Sequence, residues 1–232
     1  ELSLPEKNYR EEELRAGVMA RSISANGEVI YGTSWDNSDY GMLYWEKEGA
    51  GFGRPQWVGE DVREITPTVM QYQDGTEYDY NLVNGCICQA QLTKISPSGK
   101  WIATTYRTET PSANRQYVEY TYAAAFYNTE TGTTTIVEDY GETTGVHVTD
   151  DGIGFIGIGT LGVSAGKVYD LNTHTDLGDT QDWVYDTYGI VIPGGYINHI
   201  SADGRYVLGT SAQSSAGGTS FINWYIAPPR AK

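Results

Sequence analysis

Cations are scarce in this chain. Lys and Arg number 15 against 30 Asp and Glu over 232 residues, a formal net charge of −15. The basic footprint that releases counterions from phosphates is missing, so nucleic acid is not an expected partner, and acidic membrane surfaces are repelled. Long apolar runs are missing too. The longest uncharged glycine-rich stretch, residues 152–166, is shorter than the roughly 20 predominantly apolar residues of a membrane-spanning helix, so no transmembrane segment is expected. Cysteine is limited to Cys86 and Cys88, two places apart in an expected strand, where a disulfide over so short a span would be strained. We read them as half-buried thiols. A zinc site would need His147, His174 or His199 as further ligands, and the spacing fits no zinc signature, so no metal and no cofactor is expected. Charged residues make up only 19%, whereas Gly (28), Tyr (19) and Trp (6) abound, which excludes a disordered chain. The sequence starts at Glu1 without an initiator Met or a basic-then-apolar leader, which reads as a processed or truncated form.

What is present is repetition. Ile23-Ser24-Ala25-Asn26-Gly27 recurs as Ile95-Ser96-Pro97-Ser98-Gly99, Val148-Thr149-Asp150-Asp151-Gly152 and Ile200-Ser201-Ala202-Asp203-Gly204. A β-branched residue, a hydroxyl, two turn formers and Gly make a tight turn, because Asn, Asp and Ser bond nearby backbone and Gly tolerates positive φ. An apolar run comes after each turn: Val29-Ile30-Tyr31-Gly32, Trp101-Ile102-Ala103-Thr104, Gly154-Phe155-Ile156-Gly157 and Tyr206-Val207-Leu208-Gly209. An aromatic strand comes later in each unit: Leu43-Tyr44-Trp45-Glu46, Ala125-Phe126-Tyr127-Asn128, Lys167-Val168-Tyr169-Asp170 and Ile222-Asn223-Trp224-Tyr225. Hairpins at Thr129-Glu130-Thr131-Gly132 and Asn172-Thr173-His174-Thr175 lead to outer strands. The turn glycines are 72, 53 and 52 residues apart. The last two intervals sit just above the ~40 to 50 residues of a propeller blade, and the first leaves room for an insertion within residues 59–84. The expected fold is all-β, a propeller-like array of about four antiparallel blades, with a β-sandwich as the alternative.

The Ser-x-Asp-Gly turn, the apolar strand with a small residue and the Tyr-Asp-x-x-Thr hairpin resemble the repeats of bacterial secreted β-propellers of the WD40-like and HAF type. The similarity covers residues 19–228, and it implies a fold more than a function. Together with the acidic, aromatic, Lys-poor composition it implies an extracellular, cell-surface or periplasmic protein. The expected organisation is a charged segment at 1–18, a short helix or a closing strand, and one domain at 19–232. Its four repeats fall at about 19–90, 91–144, 145–196 and 197–232. The fourth runs out before its outer strands, so another chain or an oligomer is a candidate to complete the sheet.

Several motifs imitate sites. Gly152-Ile153-Gly154-Phe155-Ile156-Gly157 spells a dinucleotide fingerprint, but Ile158-Gly159-Thr160-Leu161-Gly162 is a poor helix start and the repeat already accounts for the glycines. Gly162-Val163-Ser164-Ala165-Gly166 spells a nucleophile elbow, but a strand comes after it. Asp36-Asn37-Ser38-Asp39-Tyr40-Gly41 has the oxygen density of a calcium loop without the closing Glu. The first reads as a repeat turn and its strand, the other two as loops.

Ser22, Lys94, His147 and His199 each stand five residues before a turn Gly, so a stacked repeat makes them equivalent. We read them as polar residues on exposed strand ends, with the histidines available for ligand contact near neutral pH. Trp35, Trp57, Tyr78, Tyr80, Trp183, Tyr185 and Tyr188 fall in expected loops or outer strands, where flat rings beside carboxylates stack on sugars or anchor proteins. The candidate ligand-binding set is therefore Trp35, Trp57, Tyr80, Trp183, Tyr188, His147 and His199, with no catalytic residue assigned. The favoured function is a non-catalytic secreted or surface module that recognises carbohydrate or protein. The alternative is a glycoside-acting enzyme using an unassigned carboxylate pair.

Overall fold

The computed structural model describes residues 2–14, 17–34, 41–87, 93–138, 140–159, 165–215 and 218–227. The first blade comprises β1 (Val18–Ile23), β2 (Val29–Ser34), β3 (Met42–Glu48) and β4 (Gly51–Phe52), with β5 (Gln56–Trp57) also paired to β3. A hairpin of β6 (Glu64–Gln71) and β7 (Glu77–Asn84) is inserted next, inside the interval expected to hold extra residues. The second blade contains β8 (Cys86–Ile87), β9 (Lys94–Ile95), β10 (Trp101–Pro111), β11 (Val118–Asn128) and β12 (Thr133–Val137), with β8 and β9 sharing one edge of β10. The third runs β13 (Thr143–Val148), β14 (Ile153–Ile158), β15 (Ala165–Asp170) and β16 (Thr175–Asp179) in spatial order. Helix α1 (Thr180–Tyr188) leads to a three-stranded fourth blade, β17 (Tyr196–Ile200), β18 (Val207–Ser215) and β19 (Gly218–Ile226). Every strand pairing among the described residues is antiparallel. The chain is all-β and propeller-like: its sheets pack in series, not as the two facing layers of a sandwich. No helix among the described residues is long and apolar enough to cross a membrane.

The repeated turn joins the first two strands of each unit through one local device. The hydroxyl of Ser24, Ser96, Thr149 and Ser201 accepts the N–H of Val29, Trp101, Ile153 and Tyr206 at 2.9, 3.1, 3.0 and 3.0 Å. Gly27, Gly99, Gly152 and Gly204 take φ of 75, 87, 84 and 69°, where a Cβ is strained. The third turn is one residue shorter, so Ile153 is the counterpart of Val29, Trp101 and Tyr206. A fifth copy lies at the tip of the long β10–β11 hairpin: Ser112 Oγ accepts the N–H of Tyr117 at 3.2 Å, and Arg115 occupies the glycine position at φ 57°.

Because strand faces alternate, that equivalence fixes which side chains each blade turns to its successor. Val29, Tyr31 and Tyr44 of the first blade meet Ile102, Ala125 and Tyr127 of the second. Trp101, Ala103 and Phe126 meet Val148, Ile156 and Leu171 of the third. Phe155 and Val168 meet Val207 and Ile226 of the fourth, with Val184 of α1 between them. Close approach needs glycine: a Cβ on Gly145 would stand 2.9 Å from the backbone of Thr104 and of Ala125. On the fourth blade the corresponding residues, Tyr206, Leu208 and Tyr225, are 53, 44 and 79% exposed. No apolar cluster among the described residues joins the fourth blade to the first.

Residues 2–14 are neither a helix nor a strand of any blade. Glu11 adopts φ 64°, and Asn8 Oδ1 accepts the N–H of Arg10 and of Glu12, both at 2.9 Å, which folds the charged stretch into a turn closed by an antiparallel backbone β-bridge between Lys7 and Glu13. The segment packs on the first blade, where the Trp45 indole N–H donates to Ser3 O at 2.9 Å. Cys86 opens β8, while Cys88 lies outside the described residues.

Candidate functional site

The innermost strand of a blade carries the polar residues that matter. In β1, β13 and β17 the register slips by one residue between Ala20 and Ser22, Gly145 and His147, and Ile197 and His199. Each bulge leaves Arg21, Val146 or Asn198 as the extra residue and re-aims the side chain beyond it. Ser22 then pairs with Tyr31, His147 with Phe155 and His199 with Leu208. Lys94 of β9 pairs with Ala103, the counterpart position of the second blade. These four residues line one cavity of about 470 Å³ at the common axis, together with Arg21 and Tyr31.

His147 is 2% exposed, a correction to its reading as a residue on an exposed strand end: Phe155 of its own blade and Ile200 and His199 of the fourth stand against it. Its Nε2 accepts the N–H of Ile200 at 3.1 Å, so the proton sits on Nδ1, which is buried without a partner among the described residues. Burial, then the positive fields of His199 and Lys94, drive its pKa down to about 3. The His199 ring stands 5.2 Å away at 64°, and burial followed by Lys94 also lowers its pKa.

A second cavity of about 370 Å³ shares His147 and opens between the turns of the third and fourth blades. The other turns touch directly. Ala25 N–H donates to Pro97 O at 2.9 Å, and Asp150 accepts from the N–H and hydroxyl of Ser98 at 2.9 and 2.7 Å. The cavity between the third and fourth turns is lined instead by Trp183 and Tyr188 of α1, together with Asp150 and Asp151. Trp183 rests edge-on against Phe155 at 5.1 Å and Tyr188 at 5.9 Å, and Tyr188 donates its hydroxyl to Gly204 O at 3.0 Å. Burial raises the pKa of Tyr188. Partial burial works to raise that of Asp150, but its bonds from Ser98 and the nearby Lys100 outweigh it and the net shift is downward.

The structure thus brings together four residues of the expected set: His147 and His199 at the axis, and Trp183, Tyr188 and His147 in the cleft. Trp183, Tyr185 and Tyr188 belong to a helix, not to the loop or outer strand expected there. Trp57 and Tyr80 lie apart from both cavities. Trp57 packs edge-on against Tyr9 at 5.5 Å, and Tyr80 lies under the Arg10 guanidinium at 5.0 Å. Trp35 and the acidic loop after it fall outside the described residues, as does Ser164 of the elbow-like motif. Gly154 and Gly157 of the fingerprint-like motif are in β14, where a Cβ on Gly154 would meet the Phe126 ring at 2.8 Å. Arg21 and Asp150 were not foreseen. Arg21 depends on a bulge, and Asp150 reads as ordinary turn chemistry.

Fold and site define an antiparallel, propeller-like array of four blades with a polar axial cavity and an aromatic cleft beside it. No family model matches the chain, and no curated protein matches it. Among solved structures, TolB from Acinetobacter baumannii is similar at 12% identity and a TM-score of 0.45, over 92% of this chain and 42% of that one. The chain spans less than half the length of that structure.

Proposed function

We propose that the chain is a non-catalytic binding module, secreted, periplasmic or displayed at the cell surface, that recognises a carbohydrate in the cleft between the third and fourth blades. The observation that carries this reading is one concavity lined by Trp183 and Tyr188 together with Asp150 and Asp151. An aromatic face beside hydrogen-bonding carboxylates suits a sugar, which offers C–H faces and hydroxyl rims. A glycoside-acting enzyme needs a carboxyl held protonated as the general acid. Asp150 is displaced toward the anion, and Asp151 accepts the Thr149 hydroxyl within its turn, so both carboxylates suit acceptor roles better.

A glycan array followed by calorimetry on the best ligand tests this. Trp183→Ala is expected to weaken binding by about tenfold or more, the ~1.5–3 kcal/mol typical of a buried aromatic anchor. Since Trp183 also packs on Phe155, Thr187→Trp provides a second arm: Thr187 is exposed and lines the cleft, so the larger ring obstructs it without entering the core. Undiminished binding in Thr187→Trp overturns the cleft as the site.

The uncovered fourth blade supports a second reading, self-association. Tyr206, Leu208, Phe221 and Tyr225 are exposed, and β19 is an edge strand among the described residues, whereas the other three blades carry a fourth strand beyond their third. Two β19 edges related by a two-fold axis would pair antiparallel and continue the sheet, setting the Phe221 and Tyr225 rings of one copy beside those of the other. Light scattering over a hundredfold concentration range is expected to show dimers that Tyr225→Glu abolishes. A strict monomer at every concentration rejects the reading.

A further inference from the structure

We propose that the axial cavity binds an organic oxyanion, a carboxylate or phosphate group on a small molecule, held by Lys94, Arg21 and His199. This goes beyond the cleft reading and does not depend on it. The chain carries two acidic residues for every basic one, yet the described lining of the axial cavity holds Arg21, Lys94, His147 and His199 and no Asp or Glu. The two cations and two imidazoles come from the innermost strands of all four blades, with the bulge in β1 supplying Arg21.

Their mutual electrostatics agree. His147 feels His199 and Lys94, His199 feels Lys94, and burial reinforced by those basic neighbours lowers the pKa of both imidazoles. A positive field that disfavours an imidazolium favours an anion at the same place. His147 adds a buried Nδ1–H that no group among the described residues accepts. Leaving such a donor unmatched is unfavourable, and an acceptor oxygen relieves the penalty. A volume of about 470 Å³, at ~30 Å³ per water in the liquid, accommodates roughly fifteen water-sized atoms, more than a bare inorganic ion needs.

Histidine-observed NMR on the intact chain at pH 6 tests the site, with sodium succinate and sodium phosphate as probes and sodium chloride at matched ionic strength as reference. The groups facing His199 are Lys94, His147 and Arg21, all basic. An occupying anion is therefore expected to shift the His199 ring signals saturably and to raise its lowered pKa toward or above the ordinary 6.5. His174, in the distant β15–β16 turn, serves as the unmoved control. Lys94→Gln, an exposed position that does not threaten folding, is expected to weaken the response about tenfold, as loss of one charge-assisted bond should. A response to succinate alone or to phosphate alone supports the site and identifies the group it takes. Shifts no larger than those in chloride, or unchanged in Lys94→Gln, overturn it. Because Thr187→Trp leaves this cavity alone, failure of the glycan site and failure of the anion site are separately visible.

Discussion

Replacing Glu109 by alanine is expected to destabilise the chain by about 3–5 kcal/mol, the largest effect of any single side chain away from the cavities. Its carboxylate is fully buried on β10, yet it receives Arg10 at 3.0 Å, Arg107 at 2.6 Å and the N–H of Val83 at 3.0 Å. Those partners belong to the N-terminal segment, to β10 itself and to the inserted hairpin, so one anion fastens two pieces of chain that lie outside the repeated blades to the second blade. Arg10 and Arg107 are nearly buried and lie over Tyr80 and Tyr120 at 5.0 and 4.8 Å. Removing the carboxylate deprives two desolvated cations of the charge they share, which costs more than the pair gained by forming. At ~2–4 °C per kcal/mol for a chain of this size, the melting temperature should fall by about 10 °C or more. Glu109→Gln keeps the volume and an acceptor for Val83, so it should recover part of the loss. Urea unfolding of both variants decides the matter: a change below about 1 kcal/mol would mean that the hairpin and N-terminal segment are held by apolar packing instead.

The features that could be read from the sequence, and those that could not, divide by the range of the interactions involved. The four turns were legible because their chemistry is local. A hydroxyl reaches an N–H four or five residues on, and a glycine adopts positive φ, whatever the rest of the chain does. The fifth copy, Ser112-Ala113-Asn114-Arg115, escaped because Arg stands where the others have Gly, although its first three letters repeat those of the first turn. Helix α1 escaped because its apolar pattern is weak. Its punctuation was available: Asp182 in the first turn, and Gly189 at φ 68° just past the end, closing back onto Tyr185 O at 2.8 Å. Trp57 and Tyr80 show the limit of reasoning from composition. Alternation tells which face a strand residue occupies, but the cover over these two rings comes from Tyr9 and Arg10, some 50 to 70 residues away in the chain. The axial set was legible as an equivalence, since register alone aligns Ser22, Lys94, His147 and His199. Its electrostatic character was not, because Arg21 joins it only through a bulge.

Between pH 6.5 and 4.5 the chain is expected to lose stability mainly through His147. The sign comes from the direction of the shift: an imidazole held neutral at a pKa of about 3 binds its proton less readily in the folded state than in the unfolded chain, where the value is near 6.5. Its contribution is complete above 6.5 and drains away as pH falls toward 3. The full difference corresponds to ~5 kcal/mol on an order-of-magnitude reckoning, with roughly half of it lost by pH 4.5. His199, shifted in the same direction but half exposed to solvent, adds to the slope. The aspartates Asp150, Asp170, Asp176 and Asp203, whose pKa values lie below the ordinary 3.8, weaken the fold only at lower pH and leave this window clear. Urea unfolding of the parent and of His147→Gln across the window isolates the group, since glutamine still offers Ile200 an acceptor but does not titrate. The parent should lose about 2–3 kcal/mol more than the variant over that range. Parallel curves would mean that the imidazole finds water or a proton acceptor in the folded state, and that its Nδ1–H is not an unmatched donor. An oxyanion bound at His199 and Lys94 should flatten the same slope, because it stabilises the protonated rings that acid would otherwise force into a field of like charge.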